Sequence, residues 1–149
     1  MKTRTLTAIG TGLLVGFVAL AAEKKIQMKD LPAVVQKAVQ DQSKGATLKG
    51  LTKEVENGKT EYEAELIFNG HGKDISFDPS GKIISVEEEI AVTSLPQATR
   101  SAIEKAASAG KLEKVEAVTE KGKSFYEATI RKAGKAHEIQ VDANRKSIQ

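Results

Sequence analysis

The feature that most constrains what this chain folds into is that one stretch is written twice. Gly58, Lys59, Thr60, Glu61, Tyr62, Glu63 and Ala64 return as Gly122, Lys123, Ser124, Phe125, Tyr126, Glu127 and Ala128, an offset of 64 residues. The offset runs without a gap from Glu23/Glu87 to Ser85/Gln149. Over those 63 aligned pairs 17 are identical, where unrelated segments of ordinary composition give about four. A duplication of this length is one supersecondary unit repeated. Reading one copy therefore reads both, and each place where the copies disagree carries information.

Each copy opens with apolar residues at alternate positions, Ile26 and Met28 or Ile90 and Val92, which predicts an extended segment. Asp30, Leu31, Pro32 and Ser94, Leu95, Pro96 follow. Asp or Ser is a helix N-cap and Pro in the first turn loses no needed hydrogen bond, so a helix starts here in both copies. Leu31, Val34, Val35, Ala38 and Val39 match Leu95, Ala98, Ala102, Ile103 and Ala106 at three-and-four spacing and predict one buried stripe. Gly45 and Gly110 read as helix stops.

Beyond each glycine the period becomes alternating, with turn residues about every ten positions, the pattern of antiparallel strands joined by tight turns. The first strands are placed at residues 47–56 and 112–120, closed by Asn57, Gly58, Lys59 and by Lys121, Gly122, Lys123. In the second strands Tyr62, Ala64, Leu66 and Phe68, with Tyr126, Ala128 and Ile130 as their counterparts, point at the core. After Gly70 and Gly134 come third strands with Ile75 and Phe77 or Ile139 and Val141 inward. Asp78, Pro79, Ser80 and Gly81 compose a turn, replaced in the second copy by Asp142, Ala143, Asn144 and Arg145. Fourth strands carry Ile84 and Val86, and Ile148 at the end of the chain. Glu87, Glu88 and Glu89 run straight into Ile90, which predicts one joined sheet. The fold class is α+β: two tandem α-β-β-β-β repeats, 22–86 and 87–149, forming an antiparallel sheet with helices packed on one face in one joint domain.

Residues 1–21 read as a cleavable signal peptide: Lys2 and Arg4, an apolar run from Ile9 to Leu20, and Ala19, Leu20, Ala21 as a cleavage site. The run is shorter than the roughly 20 residues that span a bilayer, and the chain has no cysteine for the lipoprotein form. The expectation is a periplasmic or secreted protein that is not a lipoprotein and has no stable membrane insertion after cleavage. Loss of Lys2 and Arg4 lowers the formal charge from +3 to +1, which with few aromatics argues against a nucleic-acid footprint. Without cysteine no disulfide staples the fold, and burial alone must hold it.

Leu31, Pro32, Tyr62, Glu63 and Asp78, returning as Leu95, Pro96, Tyr126, Glu127 and Asp142 in an α-β-β-β-β repeat, resemble the PepSY-like family. The tandem arrangement is similar to its beta-lactamase-inhibitor-like members, over essentially all of residues 26–149. The resemblance implies a non-enzymatic exported module with a saddle-shaped sheet, helices on its convex side, and a concave side that holds a protein partner, in some cases an enzyme being inhibited. This chain lacks the disulfides and the aromatic-rich concave face that accompany inhibition of a beta-lactamase.

If Tyr62, Ala64, Leu66 and Phe68 face the helices, the alternate residues face away, and a solvated polar sheet face is the ordinary outcome. Two features point to a binding surface. Phe125 beside Val118, with Glu127 adjacent, puts apolar groups where the first copy has Glu61 and Glu54, and aromatic groups in a polar surround anchor interfaces. Glu61, Glu63 and Glu65 make the first copy acidic, suited to a basic partner or cations. The expected partner is an exported or envelope protein of unknown identity, inhibited or regulated through the open face of the sheet. The alternative is a small-ligand or cation-binding envelope protein using the acidic face. His71 and His137 fall at non-equivalent positions and predict no metal site. Asp78 lacks the spaced acids of a calcium loop. No nucleophile, base and acid at a recognised spacing and no phosphate-cradling glycine loop is present, so neither an enzyme nor a cofactor is expected.

Overall fold

The computed structural model describes residues 23–56 and 58–142. The expected signal peptide, Asn57, the turn at Ala143 to Arg145 and the strand at Ile148 lie outside the described residues. The described chain divides into two compact units, residues 23–88 and 89–142.

The first unit contains β1 (Lys24–Lys25), a single 3-10 turn (Met28–Asp30), α1 (Ala33–Gln42), β2 (Ala46–Glu56), β3 (Lys59–Phe68), β4 (His71–Phe77) and β5 (Ile83–Glu89). Each strand pairs antiparallel with the next. The second unit contains a 3-10 turn (Val92–Ser94), α2 (Gln97–Ala107), β6 (Lys111–Glu120), β7 (Lys123–Lys132) and β8 (Lys135–Asp142), again antiparallel in chain order.

The repeat reaches down to single hydrogen bonds. Ile26 N–H donates to Leu51 C=O at 3.0 Å, and 64 positions on Ile90 N–H donates to Val115 C=O at 2.9 Å. The β2–β3 ladder shifts register between Leu48 and Gly50, the β6–β7 ladder between their counterparts Leu112 and Lys114. Among the described residues three hairpin turns use two successive left-handed residues: Asn69 and Gly70 (φ 51° and 83°), Lys121 and Gly122 (49° and 78°), Ala133 and Gly134 (50° and 78°). Such primed turns match the twist of the strands they join.

Both helix starts differ from expectation. Asp30 and Ser94 end 3-10 turns, and the residues flanking the helices are Pro32 and Pro96, without side-chain caps. The Asp30 carboxylate instead accepts from Gln27 N–H at 2.9 Å, and Ser94 Oγ donates to Ala91 C=O at 2.7 Å. Met28 and Val92 are accordingly in 3-10 turns, and only Lys24 and Lys25 ahead of Ile26 are extended.

In each unit the helix covers one face of its own strands. Leu31, Val35 and Val39 pack on Leu51, Tyr62, Ala64, Leu66, Ile75 and Phe77 in the first. Leu95 and Ile103 pack on Val115, Ala128 and Val141 in the second, with Tyr126 and Ile139 partly buried against them. The buried stripe is narrower than expected. Positions 31, 35, 39 and 95, 99, 103 are buried, whereas Val34, Ala98, Ala102 and Ala106 are exposed. A helix lying along a sheet touches it on one line, and side chains about 100° away from that line miss it. Thr99, 3% exposed, occupies the core position that Val35 fills in the first copy. Ile84 also departs: a register shift at Phe77 sets Ile83 opposite it, so Ile84 is half-buried while Val86 reaches the core.

Candidate binding face

Side chains alternate across a strand, so the burial of Tyr62, Ala64 and Leu66 under α1 sends Glu61, Glu63, Glu65 and Ile67 to the opposite face of the first unit. The register arranges that face in rows. Glu54 stands directly across from Glu61; Thr52, Glu63, Ser76 and Ser85 form a second row; Gly50, Glu65, Asp74 and Glu87 form a third. Directly opposed side chains have Cβ atoms roughly 4.5–5.5 Å apart, so the third row sets three carboxylates side by side on β3, β4 and β5. Thr52, Ser76, Ser85 and Glu87 are buried, while Glu61, Glu63 and Glu65 are half-buried. At the end of the third row the Glu65 side chain lies over Gly50: a Cβ there would be 3.1 Å from Glu65 Oε2 and 3.5 Å from its Cδ.

The equivalent face of the second unit sets Val118 across from Phe125 and Glu116 across from Glu127, with Asp142 and Gln140 continuing those rows on β8. The expected pairing of Val118 with Phe125 is therefore real, and it falls on the register that joins Glu54 to Glu61 in the first copy. Val118 is nonetheless 4% exposed. Val118, expected as a contact residue, is therefore buried, while Phe125 directly across from it and Glu127 are half-buried and remain partly accessible. Lys114 Nζ lies 2.5 Å from Glu116 Oε1, and Gln140 Nε2 donates to Glu127 Oε2 at 3.2 Å. Lys114 stands at the position of Gly50. Where the first copy has Gly50 under the Glu65 carboxylate, the second has an ammonium on a carboxylate of the same face.

Three carboxylates away from these rows have lowered pKa values. Asp41, at the end of α1, is held down to about 2 by hydrogen bonds from Lys37 and then Lys44, each at 2.8 Å. Asp78 is held low first by the Ser80 hydroxyl; its Oδ1 also accepts from Ser80 N–H at 2.8 Å and Lys82 N–H at 3.1 Å. It organises the β4–β5 turn. Glu113, in the irregular stretch of β6, is lowered by Arg131, whose Nε donates at 2.7 Å and whose Nη1 donates to Gly134 C=O at 3.1 Å. His71 opens β4 opposite Phe68 and His137 lies in β8 opposite Ile130, each exposed in its own unit. The sequence reading missed the close approach of Glu65 to Gly50 and the Lys114 ion pair. The signal for both was the Gly50/Lys114 mismatch between the copies.

Helix-backed antiparallel sheets that repeat at a fixed offset define a class of small α+β modules. The family described as "Putative beta-lactamase-inhibitor-like, PepSY-like" matches this chain at residues 20–84 and again at 60–148, and the chain belongs to it. The fold is shared with solved structures from Bacteroides. One, described among "putative periplasmic proteins" of Bacteroides eggerthii, is 18% identical, with 76% of this chain and 82% of that one covered and a TM-score of 0.62. A DUF2874 family protein from Bacteroides uniformis is 20% identical, covering 79% and 86%, at 0.60. A BLIP-like protein from Bacteroides fragilis is 18% identical, covering 80% and 92%, at 0.51. A comparison with curated proteins returns no match. Among the described residues no helix is long and apolar enough to cross a membrane.

Proposed function

We propose that this protein is a non-enzymatic binding module of the cell envelope, exported by residues 1–21. It engages a protein partner through the strand faces opposite its helices, and occlusion of that partner inhibits or regulates it. The observation that supports the reading is the pair Glu61 and Glu65, half-buried acids on the strand face opposite α1, with the Glu65 carboxylate lying over Gly50. In the second copy a carboxylate of this face is paired with an ammonium group, Lys114 on Glu116. A lysine or arginine of the partner is the complementary group for the first copy, and Phe125 supplies the aromatic contact of the second.

A second reading, binding of a small cation by the same acidic face, draws on the same acids. Two measurements separate them. The chain lacking residues 1–21, used as bait on the exported fraction, should retain a partner that is lost when Glu61, Glu63 and Glu65 are changed together to Gln and weakened by Phe125→Ala. Calorimetric titration with calcium or magnesium should show no heat that depends on those glutamates. Cation binding abolished by the triple change, with capture unaffected by any variant, rejects the protein-partner reading in favour of the second.

A further inference from the structure

The outer edge of the first unit ends on β1, which is two residues long, and both are exposed lysines. Lys24 stands directly across from Lys53 and Lys25 across from Thr52, and Ile26 N–H closes the pairing on Leu51 C=O. β2 is eleven residues long, so among the described residues this short strand occupies only the middle of its outer edge. Two aspects of the arrangement need a cause. A lysine facing a lysine is an unfavourable cross-strand pair, yet it sits within the short stretch where the edge is paired. The repeat does not demand it either, because Lys24, Lys25 and Lys53 align with Glu88, Glu89 and Ala117.

An open strand edge is a template for another strand, and short edge strands and lysines are what oppose such pairing. The strand most available to β2 is β2 of an identical chain, since a two-fold axis sets the same edge antiparallel to itself. We propose that β1 is a charged guard strand whose role is to keep the edge of β2 from pairing with a second copy of this chain. This goes beyond the binding-face reading, because it concerns the edge of the sheet and survives whatever the face binds. The opposed lysines are tolerated within one chain because Lys24 is exposed and Lys53, though half-buried, is of a type that keeps its ammonium in water while its stem is covered. An incoming strand would have to strip that water and bring two more lysines to the same place.

The test is sedimentation velocity on the chain without residues 1–21, at about 100 µM, within the range where exposed strand edges associate. The unaltered chain should sediment as one monomeric species. K24V/K25V/K53V, which leaves the backbone pairing available and removes the charge, should shift with concentration to a dimer or larger species. K24E/K25E keeps charge on the guard and should remain monomeric. If the valine variant does not fold by circular dichroism, K24T/K25T, uncharged and soluble, takes its place with the same expectation. A folded uncharged variant that stays monomeric overturns the proposal. So does self-association of the unaltered chain to the same extent, or association of K24E/K25E equal to that of the uncharged variant.

Discussion

Ala133 is the residue whose replacement the two copies predict most directly. It is the first of two left-handed residues in the β7–β8 turn, at φ 50°, and its counterpart in the β3–β4 turn is Asn69 at φ 51°. An L-residue with a Cβ costs roughly 1–2 kcal/mol in this region, whereas asparagine is enriched there several-fold because its short amide bonds locally. Both residues are exposed, and a Cβ added at Gly134 or Gly70 would meet nothing within 4 Å, so no packing change obscures the backbone effect. Ala133→Asn should therefore stabilise the protein by about 1 kcal/mol, and Asn69→Ala should destabilise it by a similar amount. For a unit of about 60 residues that is a shift of roughly 4–8 °C in melting temperature, up for the first change and down for the second. Ala133→Gly should gain less, because glycine also raises the entropy of the unfolded chain. Urea and thermal unfolding followed by circular dichroism measure all three. If Ala133→Asn is neutral or destabilising while Asn69→Ala costs nothing, turn conformation does not control these hairpins and the reasoning fails.

Thr99→Val should stabilise the second unit by about 1 kcal/mol, since a buried hydroxyl gives way to the methyl that Val35 supplies in the first copy; a lowered melting temperature would show that the hydroxyl is structurally engaged. Tyr62→Ala should cost about 3–5 kcal/mol because the ring is buried, and Tyr126→Ala distinctly less because its ring is half-buried; equal losses in urea unfolding would contradict the packing described. The Asp41 carboxyl, held down to about 2 from 3.8 by hydrogen bonds from Lys37 and then Lys44, contributes stability above pH 3.8 that is lost as pH falls through 2. Asp41→Asn should remove that acid-dependent component, and amide exchange at the end of α1, compared at pH 5 and at pH 2.5, measures it.

Strand order, hairpin positions and the inward-facing rings were legible because a period of two and glycine-marked turns are local signals, and the duplication supplied each twice. The opposition of Glu54 to Glu61 and of Val118 to Phe125 was reachable from the alignment alone, since register follows once the turn is fixed. What escaped was set by three-dimensional packing. Helical spacing named Val34, Ala98, Ala102 and Ala106 as buried, but a helix on a sheet buries a line and not a broad stripe, and alanine is indifferent to which side of that line it takes. The burial of Val118 also lay beyond reach, because alternation assigns a face and says nothing of how much neighbouring side chains cover it. The Gly50/Lys114 mismatch was visible, yet that the Glu65 carboxylate folds over Gly50 was not, because it depends on a side-chain conformation.

Gly45 and Gly110 show how the same letter answers two physical demands. Both follow a helix and both read as stops, but they are not aligned: Gly45 corresponds to Ala109 and Gly110 to Ala46. Gly45 has φ 78° and open space around it, the nearest atom to an added Cβ being Phe68 Cε2 at 3.9 Å, so it is needed for its backbone conformation. Gly110 is not left-handed; a Cβ there would lie 2.7 Å from Arg131 C=O and 2.9 Å from Ile130 Cγ2, so it is needed because β7 passes against it. Gly45→Ala should cost about 1 kcal/mol through strain, and Gly45→Asn should recover most of it. Gly110→Ala should cost about 1–3 kcal/mol through forced displacement of backbone, and Gly110→Asn should be worse, because a larger side chain adds to the clash. Recovery by asparagine at both sites in urea unfolding would mean that conformation governs each helix end and that the close approach of β7 is easily relieved. Failure of asparagine at both would mean that the left-handed turn after α1 is not what holds Gly45 in place.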